Sequence, residues 1–489
     1  MNKEVLLGNI IENWSFRPTP GQMTALERMT DFLFSGSGRQ VFVLRGYAGT
    51  GKTTVVSALV RTLRQHRGKV QLMAPTGRAA KVFSLYSGIP AVTIHKQIYR
   101  QKSVADETVF SLDRNLHENT LFLVDEASMI SNEGLAGAQF GTGRLLDDLI
   151  SYVYGGKGCA MVLIGDAAQL PPVGEVLSPA LISAQLASYG LEVFEASLED
   201  VMRQSHESGI LDNATRLRNS LPAADSYDVY SVKPFHFRLK GFSDICRIDG
   251  SELIEKIAAC YSRDGADETM VLCRSNRRAI LYNNGIRSTI LDREDELSRG
   301  DRLMIVKNNY YWTEHVMEAS DKYDDYSMNV PPFVANGDIA VVRRVRKHRE
   351  LYGFRFADVL LEFPDYDEFD MEVTLLLDTL HSEAPALTQE QHEQLFAGVM
   401  QDYEHIRSRK ERMKQLRQDI YYNAVQVKYS YAVTCHKAQG GQWRNVFIDQ
   451  GYMPEENRDA DYYRWLYTAL TRASGQVFLV NWPKEQIEE

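Results

Sequence analysis

The strongest structural signal in the sequence is Gly46-Tyr47-Ala48-Gly49-Thr50-Gly51-Lys52-Thr53. It follows the apolar, β-branched run Val41–Leu44 and precedes the helix-like segment Thr54–Leu63. A strand, a glycine-rich turn and a helix in this order are typical of a phosphate-binding P-loop. The glycines let backbone N–H groups turn inward around an anion, and the positive end of the helix dipole points at the same place. The sequence therefore predicts that the chain binds a nucleoside triphosphate.

Within this stretch, each residue type suggests its own task. Lys52 would reach the β- and γ-phosphates, and the Thr53 hydroxyl would hold Mg²⁺. The other predicted nucleotide contacts are Gly46, Gly49, Thr50, Gly51 and Thr54. An ordinary glycine turn is the alternative, and it is disfavoured because all four key positions are filled downstream of a strand. ATP and Mg²⁺ are the expected cofactors.

Composition sets broader limits on the class of protein. A chain of 489 residues is too long for one ordinary core and favours about three domains. Its 44% hydrophobic and 25% charged residues are typical of a soluble globular protein, and we expect no membrane span and no signal peptide. The five cysteines show no paired spacing, which favours a reducing, cytoplasmic environment. The net charge of −10 gives no hint of nucleic-acid binding, although only the contacting groove must be basic.

Two further strand-like runs each end in polar residues. Leu121–Val124 leads into Asp125 and Glu126, which would face the crevice at the carboxyl end of a parallel sheet. Asp125 is placed to hold Mg²⁺ and Glu126 to orient or deprotonate the attacking water. Met161–Ile164 leads into a proline-braced loop that carries Gln169, a neutral amide suited to detecting a γ-phosphate. Each motif alone is compatible with an ordinary polar loop.

Two arginines are candidates for a finger that supplies positive charge to the transferring phosphate. Arg472 ends the helix-like segment Tyr467–Arg472, and Arg203 lies in the segment Leu198–Gln204. A lone arginine is usually a solvated surface residue, so neither assignment stands by itself.

Taken together, the motifs resemble those of superfamily 1 helicases. The motifs that carry the resemblance are, in order, Gly46–Thr53, Ala74–Arg78, Thr93–Lys96, Val124–Ser128, Gly165–Val173, Thr434–Gly440 and Tyr467–Arg472. Gln169–Pro172 points to the RecD/Dda-type branch, superfamily 1B. The resemblance implies two RecA-like α/β domains that face each other with ATP between them.

The expected fold class is α/β, with two RecA-like P-loop domains, a small inserted β-barrel and a helical excursion. The expected first motor domain is 1–200, with an insertion at 99–118. The second combines 201–310 with 426–489, and the accessory domain is 311–425. Alternating or strand-like runs at Arg302–Lys307, Ile339–Val345 and Phe354–Phe363 suggest the barrel.

The resemblance also implies a grip on single-stranded nucleic acid, on the face away from ATP. Hydroxyl, imidazole and cationic groups contact phosphate without reading the base sequence. The candidates are Thr76, Arg78, Thr93, His95, Lys96, Thr434, His436 and Lys437. Phe83, Tyr86 and Trp443 could stack on bases or belong to the core, and for Phe83 we favour the core.

Gln22 resembles the glutamine that reads adenine in such motors, and the open alternative is a polar residue in the first turn of a helix. One departure concerns Gly441-Gln442-Trp443, where many relatives have Ser-Glu-Phe or Ser-Glu-Trp. The missing carboxylate leaves the role of Gln442 and the choice between ATP and GTP open.

Two insertions carry their own alternatives. Relatives place a duplex-splitting β-hairpin pin within Tyr99–Glu118, with Phe110 as its apolar tip or flank, and a plain surface loop is nearly as well supported.

In the excursion, Thr388–Gln391 predicts a capping box that opens a long amphipathic helix. Its second half, 407–417, is basic, and could lie along DNA or form a solvated face, which we favour.

The expected function is an ATP-dependent DNA helicase that translocates on single-stranded DNA and opens duplex junctions, with 5′→3′ polarity inferred from the resemblance alone. An RNA motor, a motor of opposite polarity and a non-catalytic DNA-binding scaffold are the alternatives. We expect a monomer that serves DNA repair or replication with protein partners, and no membrane association.

Overall fold

The fold contains two parallel sheets and one closed barrel. The structure is a computed structural model and describes residues 2–14, 17–36, 38–101, 110–134, 140–200, 208–221, 232–319, 333–366 and 368–488. The α/β fold with an inserted barrel, predicted above, is confirmed.

The first eight strands form the first sheet and a separate hairpin. They are β1 (Gln40–Gly46), β2 (Lys69–Ala74), β3 (Ala91–Thr93), β4 (Tyr99–Gln101), β5 (Phe110–Leu112), β6 (Thr120–Val124), β7 (Ala160–Gly165) and β8 (Glu192–Leu198). The six-stranded sheet has the order β3-β2-β6-β7-β1-β8, and β4 pairs only with β5, antiparallel. The accompanying helices are α1 (Lys3–Glu12), α2 (Pro20–Phe34), α3 (Lys52–Gln65), α4 (Gly77–Ser87), α5 (Ile94–Ile98), α6 (Leu145–Gly155) and α7 (Ser183–Ser188).

Strand β1 shows why the apolar runs became central strands. Val41 and Val43 pack into the core on one face of the sheet, whereas Phe42 and Leu44 pack into the core on the other. All four side chains are fully buried. Continuous apolar runs are what a parallel sheet covered on both faces requires.

The remaining ten strands form the second sheet and the barrel. They are β9 (Ile245–Ile248), β10 (Thr269–Cys273), β11 (Arg302–Ile305), β12 (Ile339–Leu351), β13 (Phe354–Phe363), β14 (Phe369–Leu376), β15 (Val425–Tyr429), β16 (Ala432–Thr434), β17 (Trp443–Asp449) and β18 (Ala473–Val480). The second sheet has the order β16-β10-β17-β18-β9, and β11 to β15 close the barrel. The helices are α8 (Gly209–Ser220), α9 (Leu253–Asp264), α10 (Asn276–Thr289), α11 (Tyr311–Ala319), α12 (Gln389–Asp402), α13 (Arg409–Arg417), α14 (Cys435–Ala438) and α15 (Ala460–Leu470).

The barrel extends beyond the sequence-based boundaries of 311–425. Strand β11 pairs with both β12 and β15, so the barrel cannot close without Arg302–Ile305 and Val425–Tyr429. We therefore propose 302–429 as the accessory unit, and the division of the other residues into two motor domains remains a proposal.

The long amphipathic helix predicted in the accessory unit is in fact two helices. The capping box at Thr388 and Gln391 is present, and Leu395 and Val399 are buried as expected. The helix ends at Asp402, and Ser408 accepts a hydrogen bond from the backbone N–H of Glu411 and so caps a new helix, α13. A side-chain cap competes with continuation of a helix, which explains the break.

None of the described helices is both long and apolar enough to span a membrane.

Candidate nucleotide cleft and strand-binding surface

A cavity of about 700 Å³ lies between the two parallel-sheet units. The first unit supplies the P-loop, Asp125, Glu126 and Gln169, and the second supplies Gln442 and the segment 471–475. Predicted residues from sequence positions more than 400 apart therefore line one cleft.

The P-loop has the backbone geometry that its sequence predicts. Gly49 and Gly51 adopt positive φ angles of 76° and 85°, which disfavour residues with a Cβ atom, and α3 begins directly afterwards at Lys52. The Lys52 ammonium donates hydrogen bonds to the carbonyl oxygens of Gly46 and Tyr47, at 2.5 and 3.0 Å. Binding of a phosphate by Lys52 would replace these bonds with charge-assisted ones.

Two carboxylates stand at the end of β6. Asp125 accepts hydrogen bonds from the Tyr86 hydroxyl and, at 2.8 Å, from the backbone N–H of Glu126. Burial and then the nearby Glu126 raise the pKa of Asp125. Glu126 has a φ angle of +51°, in the left-handed region that non-glycine residues rarely adopt. Such strain is common at functional sites, and here it turns the Glu126 side chain into the cleft.

Gln169 presents an unsatisfied acceptor at the same cleft. Its side chain is buried, and its Oε1 atom has no hydrogen-bond partner among the described residues. A buried carbonyl oxygen without a donor is costly, so a donor that enters with a ligand, such as an ordered water, would be stabilised there.

Arg472 crosses from the second unit into the cleft. It is 3% exposed, and its guanidinium donates to the carbonyl oxygens of Thr468 and Gly441, both at 3.2 Å. The same group lies 3.8 Å from the Glu126 carboxylate. The other predicted arginine, Arg203, lies outside the described residues.

Tyr467 joins the second unit to the P-loop unit beside the cleft, a contact that sequence reasoning missed. Its hydroxyl donates to the Asp166 carboxylate at 2.7 Å and accepts from the backbone N–H of Ala48, in the P-loop, at 2.9 Å. Tyr467 lies five residues before Arg472 on the same helix-to-strand segment, so one element carries both contacts. From sequence alone, a tyrosine in a helix rich in aromatic residues is interpreted as part of the core. Only its hydrogen bonds to residues distant in the sequence show that it joins the two units.

Gln22 lies behind the P-loop and not on the cavity wall. Its Oε1 accepts from the backbone N–H of Thr19 in a capping box, and its Nε2 donates to the carbonyl oxygen of Thr50 at 3.0 Å. Gln22 therefore lies in the first turn of helix α2, as the alternative interpretation predicted. Its additional hydrogen bond to Thr50 connects this turn to the P-loop. An adenine contact remains a prediction.

The donor set fits a magnesium ion held jointly with a nucleotide. No group of three His, Cys, Asp or Glu side chains suited to a metal occurs in the described part of the chain. Asp125 and the exposed Thr53 line the cleft together. Mg²⁺ commonly uses one or two protein oxygens together with substrate phosphates and waters, so this small set is sufficient.

Three of the predicted strand contacts are threonines at strand-to-helix junctions. Thr76 follows β2 and caps α4, and Thr93 ends β3 and caps α5. Thr434 precedes α14 without a side-chain cap, which leaves its hydroxyl available. A Cβ atom on Gly440 would lie 3.1 Å from the Thr76 hydroxyl, so the junctions of the two units are in close contact.

Of the predicted cations, Lys96 and His436 are exposed, whereas Arg78 and Lys437 join structural units. Arg78 lies 4.2 Å above the Trp443 ring and donates to the Gln442 carbonyl oxygen at 3.0 Å. Lys437 donates to the Asn336 side chain at 2.5 Å. Both remain candidate strand contacts with existing partners that a phosphate would have to displace.

Two of the three aromatic candidates for base stacking are buried, and the third lies at the nucleotide cleft. Phe83 is fully buried, in agreement with the core alternative, and Trp443 is buried as well. Tyr86 lines the nucleotide cleft, where it binds Asp125.

His95 and Phe110 lie in one aromatic cluster. The His95 ring packs against Phe140 and Tyr99, with centroids 5.0 and 5.6 Å away, and burial lowers its pKa to about 4. Phe110 is 8% exposed and stacks on Phe140 and on Tyr310 of the accessory unit. Both side chains thus have aromatic partners at the base of the β4–β5 hairpin, and their contacts to nucleic acid remain predictions. The intervening segment 102–109, where a tip would fall, lies outside the described residues.

Known proteins resemble both halves of this arrangement. The AAA domain family matches residues 18–231, and the UvrD-like helicase C-terminal domain family matches residues 429–480. The RecD subunit of the RecBCD enzyme from Buchnera aphidicola is 20% identical, over 89% of this chain and 69% of RecD. The ATP-dependent DNA helicase Dda of phage T4 is 25% identical, over 54% of this chain and 55% of Dda.

A crystal structure of Pif1 helicase from Candida albicans aligns over 97% of this chain and 96% of its own, with 16% identity and a TM-score of 0.46. The two matched families coincide with the two units that line the cleft, and the relatives fall in one branch. These matches confirm the resemblance to the superfamily 1 helicases, in the branch that contains RecD and Dda.

Proposed function

We propose that the protein is an ATP-driven, Mg²⁺-dependent motor that translocates 5′→3′ along single-stranded DNA and separates duplex strands. The observation that carries this proposal is the position of Arg472. Its guanidinium, from the second unit, lies 3.8 Å from the Glu126 carboxylate of the first unit. Electrostatic attraction across the cleft therefore depends on the charges that occupy it.

The cleft residues supply the parts that phosphoryl transfer to water needs. Lys52 binds the β- and γ-phosphate oxygens, and Gln169 offers its buried Oε1 to the attacking water. Glu126 orients that water and accepts its proton as the oxygen attacks the γ-phosphorus. Arg472 stabilises the negative charge that develops on the transferring group. When bound, Mg²⁺ would be held by Thr53 and Asp125 and would neutralise charge on the phosphates.

Movement follows if the cleft closes and opens with the state of the nucleotide. Arg472 attracts the γ-phosphate, which favours the closed arrangement, and loss of that phosphate removes the attraction. The strand contacts at Thr76, Thr93 and Thr434 belong to two different units, so a change in the cleft alters their spacing. Alternating grip then becomes directional movement.

The relatives support the choice of nucleic acid. Dda is described as an ATP-dependent DNA helicase, and RecD as a subunit of the RecBCD enzyme. DNA is therefore the proposed substrate, and the 5′→3′ polarity rests on the resemblance to this branch. A cytoplasmic monomer acting in DNA repair or replication, with protein partners, is part of the same proposal.

The decisive experiment compares two duplexes of identical sequence, one with a 5′ single-stranded tail and one with a 3′ tail. We expect ATP-dependent strand separation only from the 5′ tail. Separation only from the 3′ tail would reverse the polarity. Faster separation of an RNA duplex than of its DNA counterpart would favour the RNA motor.

A second experiment separates the motor from a DNA-binding scaffold. Lys52→Ala removes the predicted phosphate contact, and we expect it to abolish both ATP hydrolysis and strand separation while DNA binding persists. Arg64→Ala, which changes an exposed cation of the same helix, serves as the control. Strand separation that survives in Lys52→Ala would support the scaffold.

A further inference from the structure

The accessory unit contains a strongly cationic helix. Helix α13 carries one acid, Glu411, and five cations: Arg409, Lys410, Arg412, Lys414 and Arg417. Among the described residues, Arg409, Lys410, Arg412 and Lys414 form no ion pair, and the Nε atom of Arg412 has no hydrogen-bond partner. The chain as a whole has a net charge of −10, so α13 is a local concentration of positive charge in an acidic protein.

The neighbouring barrel shows the opposite behaviour. Several of its arginines form ion pairs with acids on other barrel strands, among them Arg343 with Glu362, Arg346 with Glu372, and Arg349 with Asp358. Several cations of the barrel are thus neutralised by acids of the same unit, whereas Arg409, Lys410, Arg412 and Lys414 of α13 have no acidic partner among the described residues. Exposed cations without partners are available to bind phosphate groups.

Helix α13 ends at a small basic cavity. The cavity has a volume of about 190 Å³. Its wall includes Lys307, His392, Arg417 and the ring of Tyr422, together with one acid, Glu314. Burial lowers the pKa of Lys307, and no charged group offsets that effect. At about 30 Å³ per water molecule, the space equals roughly six waters, enough for a hydrated phosphate group.

The cavity is separated from the proposed single-strand path by a wall of aromatic rings. Phe110 and Tyr310 line the cavity beside α13, whereas Phe333 lines a different cavity together with Thr93 and Lys96. Tyr310 packs against both Phe110 and Phe333, with ring centroids 4.1 and 4.7 Å apart. A nucleic-acid segment beside α13 is thus outside the channel that holds the translocated strand.

We propose that α13 and this cavity form a second nucleic-acid site, which binds the phosphate backbone of the duplex arm ahead of the motor. The surface adjoins the base of the β4–β5 hairpin, where the duplex would meet the protein under the proposed function, on which this inference rests. Nine helical residues span about 13 Å, the length of roughly four base pairs. The contact is to phosphates, so it is independent of base sequence.

The test measures the affinity of the full chain for a 5′-tailed duplex and for the tail alone, by fluorescence anisotropy at several salt concentrations. The variant is Arg409→Ala/Lys410→Ala/Lys414→Ala, which removes three exposed cations. The control is Arg61→Ala/Arg64→Ala/Lys69→Ala, which removes three exposed cations from the first unit. A second variant, Lys307→Gln, tests the cavity.

We expect the triple variant to lose about tenfold in affinity for the tailed duplex and to reduce the slope of log affinity against log salt by about 2 to 3. Affinity for the tail alone and tail-stimulated ATP hydrolysis stay at the wild-type level. Lys307→Gln lowers affinity for the tailed duplex in the same direction, and the control variant behaves as wild type.

An unchanged affinity of the triple variant for the tailed duplex would overturn the inference. Helix α13 would then face solvent or another protein and not the duplex. An equal loss on the tail alone would place α13 on the single-strand path and overturn it as well. In both cases, wild-type ATP hydrolysis that responds to the tail shows that the proposed function still holds. A wild-type protein that neither binds the tail nor responds to it contradicts the proposed function instead.

Discussion

Glu126 combines a strained backbone with a charged partner from another unit. Its φ angle of +51° costs on the order of 1–3 kcal/mol, which the surrounding structure must offset. A merely solvated glutamate would gain nothing from this strain, whereas a general base gains a fixed direction toward the cleft. Other non-glycine residues, such as the exposed Glu368, also adopt positive φ angles, so the position of Glu126 in the cleft, and not the strain alone, favours the catalytic interpretation.

We expect Glu126→Gln to bind ATP within a few-fold of wild type and to hydrolyse it about 10²- to 10⁴-fold more slowly, because the amide cannot accept the proton of water. Single-turnover hydrolysis and equilibrium nucleotide binding measure the two quantities. Glu192→Gln, an exposed change of the same kind on β8, is the matched control. Normal turnover in Glu126→Gln would remove this residue from the mechanism.

The burial of His95 gives stability a local dependence on pH. Its pKa falls to about 4 in the folded chain, against about 6.5 for an exposed histidine. Between these values the unfolded state binds more protons than the folded state, so the stabilisation present at neutral pH is lost on acidification.

We expect the stability difference between wild type and His95→Gln to shrink by about 1–2 kcal/mol from pH 7 to pH 5, because the variant has no proton to gain. Denaturant unfolding at the two pH values measures it, and the subtraction removes the opposite contribution of buried carboxyls such as Asp338, whose pKa is raised to about 7 by burial. A pH-independent difference would show that His95 is solvated.

Sequence reasoning identified the cleft residues whose partners are close in the chain. Lys52 sits within an eight-residue motif, and Gln169 follows its strand directly, so spacing alone reveals them. Tyr467 could not be found in this way, because its hydrogen-bond partners, Asp166 and Ala48, lie about 300 and 420 positions away. The position of His95 depended on the same kind of distant contact, with Phe140.

At the scale of elements, the β4–β5 hairpin is joined to the accessory unit by aromatic rings. Phe110 of β5 lies between Phe140 and Tyr310, with ring centroids 5.0 and 4.1 Å away. Any force on the hairpin would therefore reach the barrel through a packed contact.

We expect a double-mutant cycle of Phe110→Ala and Tyr310→Ala to show a coupling energy of about 0.5–1.5 kcal/mol in unfolding, as is usual for packed aromatic pairs. Phe110→Ala combined with Phe356→Ala is the control, since Phe356 belongs to a separate core and should be additive within about 0.5 kcal/mol. Additivity of the first pair would show that the hairpin and the barrel are mechanically independent.

Elements with strong local signals were the ones that sequence could predict. The strands β12 and β13 begin where the alternating runs begin, at Ile339 and Phe354. The break between α12 and α13 was missed because apolar spacing continued across it, although Ser408 supplied a cap. The run Arg302–Lys307 was recognised as strand-like, but its pairing with the distant strand β15 is visible only in the structure.

At the scale of the whole molecule, one peptide joins the nucleotide cleft to the strand-binding surface. The backbone N–H of Leu170 donates to the Thr468 hydroxyl at 2.8 Å, and its carbonyl oxygen accepts from the Gln439 side chain at 2.8 Å. Leu170 follows Gln169, the candidate sensor of the γ-phosphate. Gln439 lies two residues after Lys437, a candidate strand contact. The second unit thus binds the loop that carries Gln169 and Leu170 through two side chains. Thr468 belongs to the segment that precedes Arg472, and Gln439 to the segment that follows Lys437.

We expect Gln439→Leu to weaken the stimulation of ATP hydrolysis by single-stranded DNA about 5- to 30-fold, while hydrolysis without DNA stays within about twofold of wild type. The lost bond is buried, and leaving its acceptor unpaired costs about 1–2 kcal/mol, which sets that range. The measurement is steady-state hydrolysis with and without a saturating oligonucleotide. Gln450→Leu is the matched control, because Gln450 is a buried glutamine of the same unit whose hydrogen-bond partners, Tyr462 and Gln486, both lie within that unit.

The two variants distinguish coupling from general damage to the second unit. If both lose stimulation equally, the loss reflects disturbed packing, and the Leu170 peptide has no special part in communication. If only Gln439→Leu loses it, the signal from the strand passes through the loop that carries Gln169. Hydrolysis without DNA is the sensitive readout here, because a damaged cleft would lower it and a severed link between the two surfaces would not.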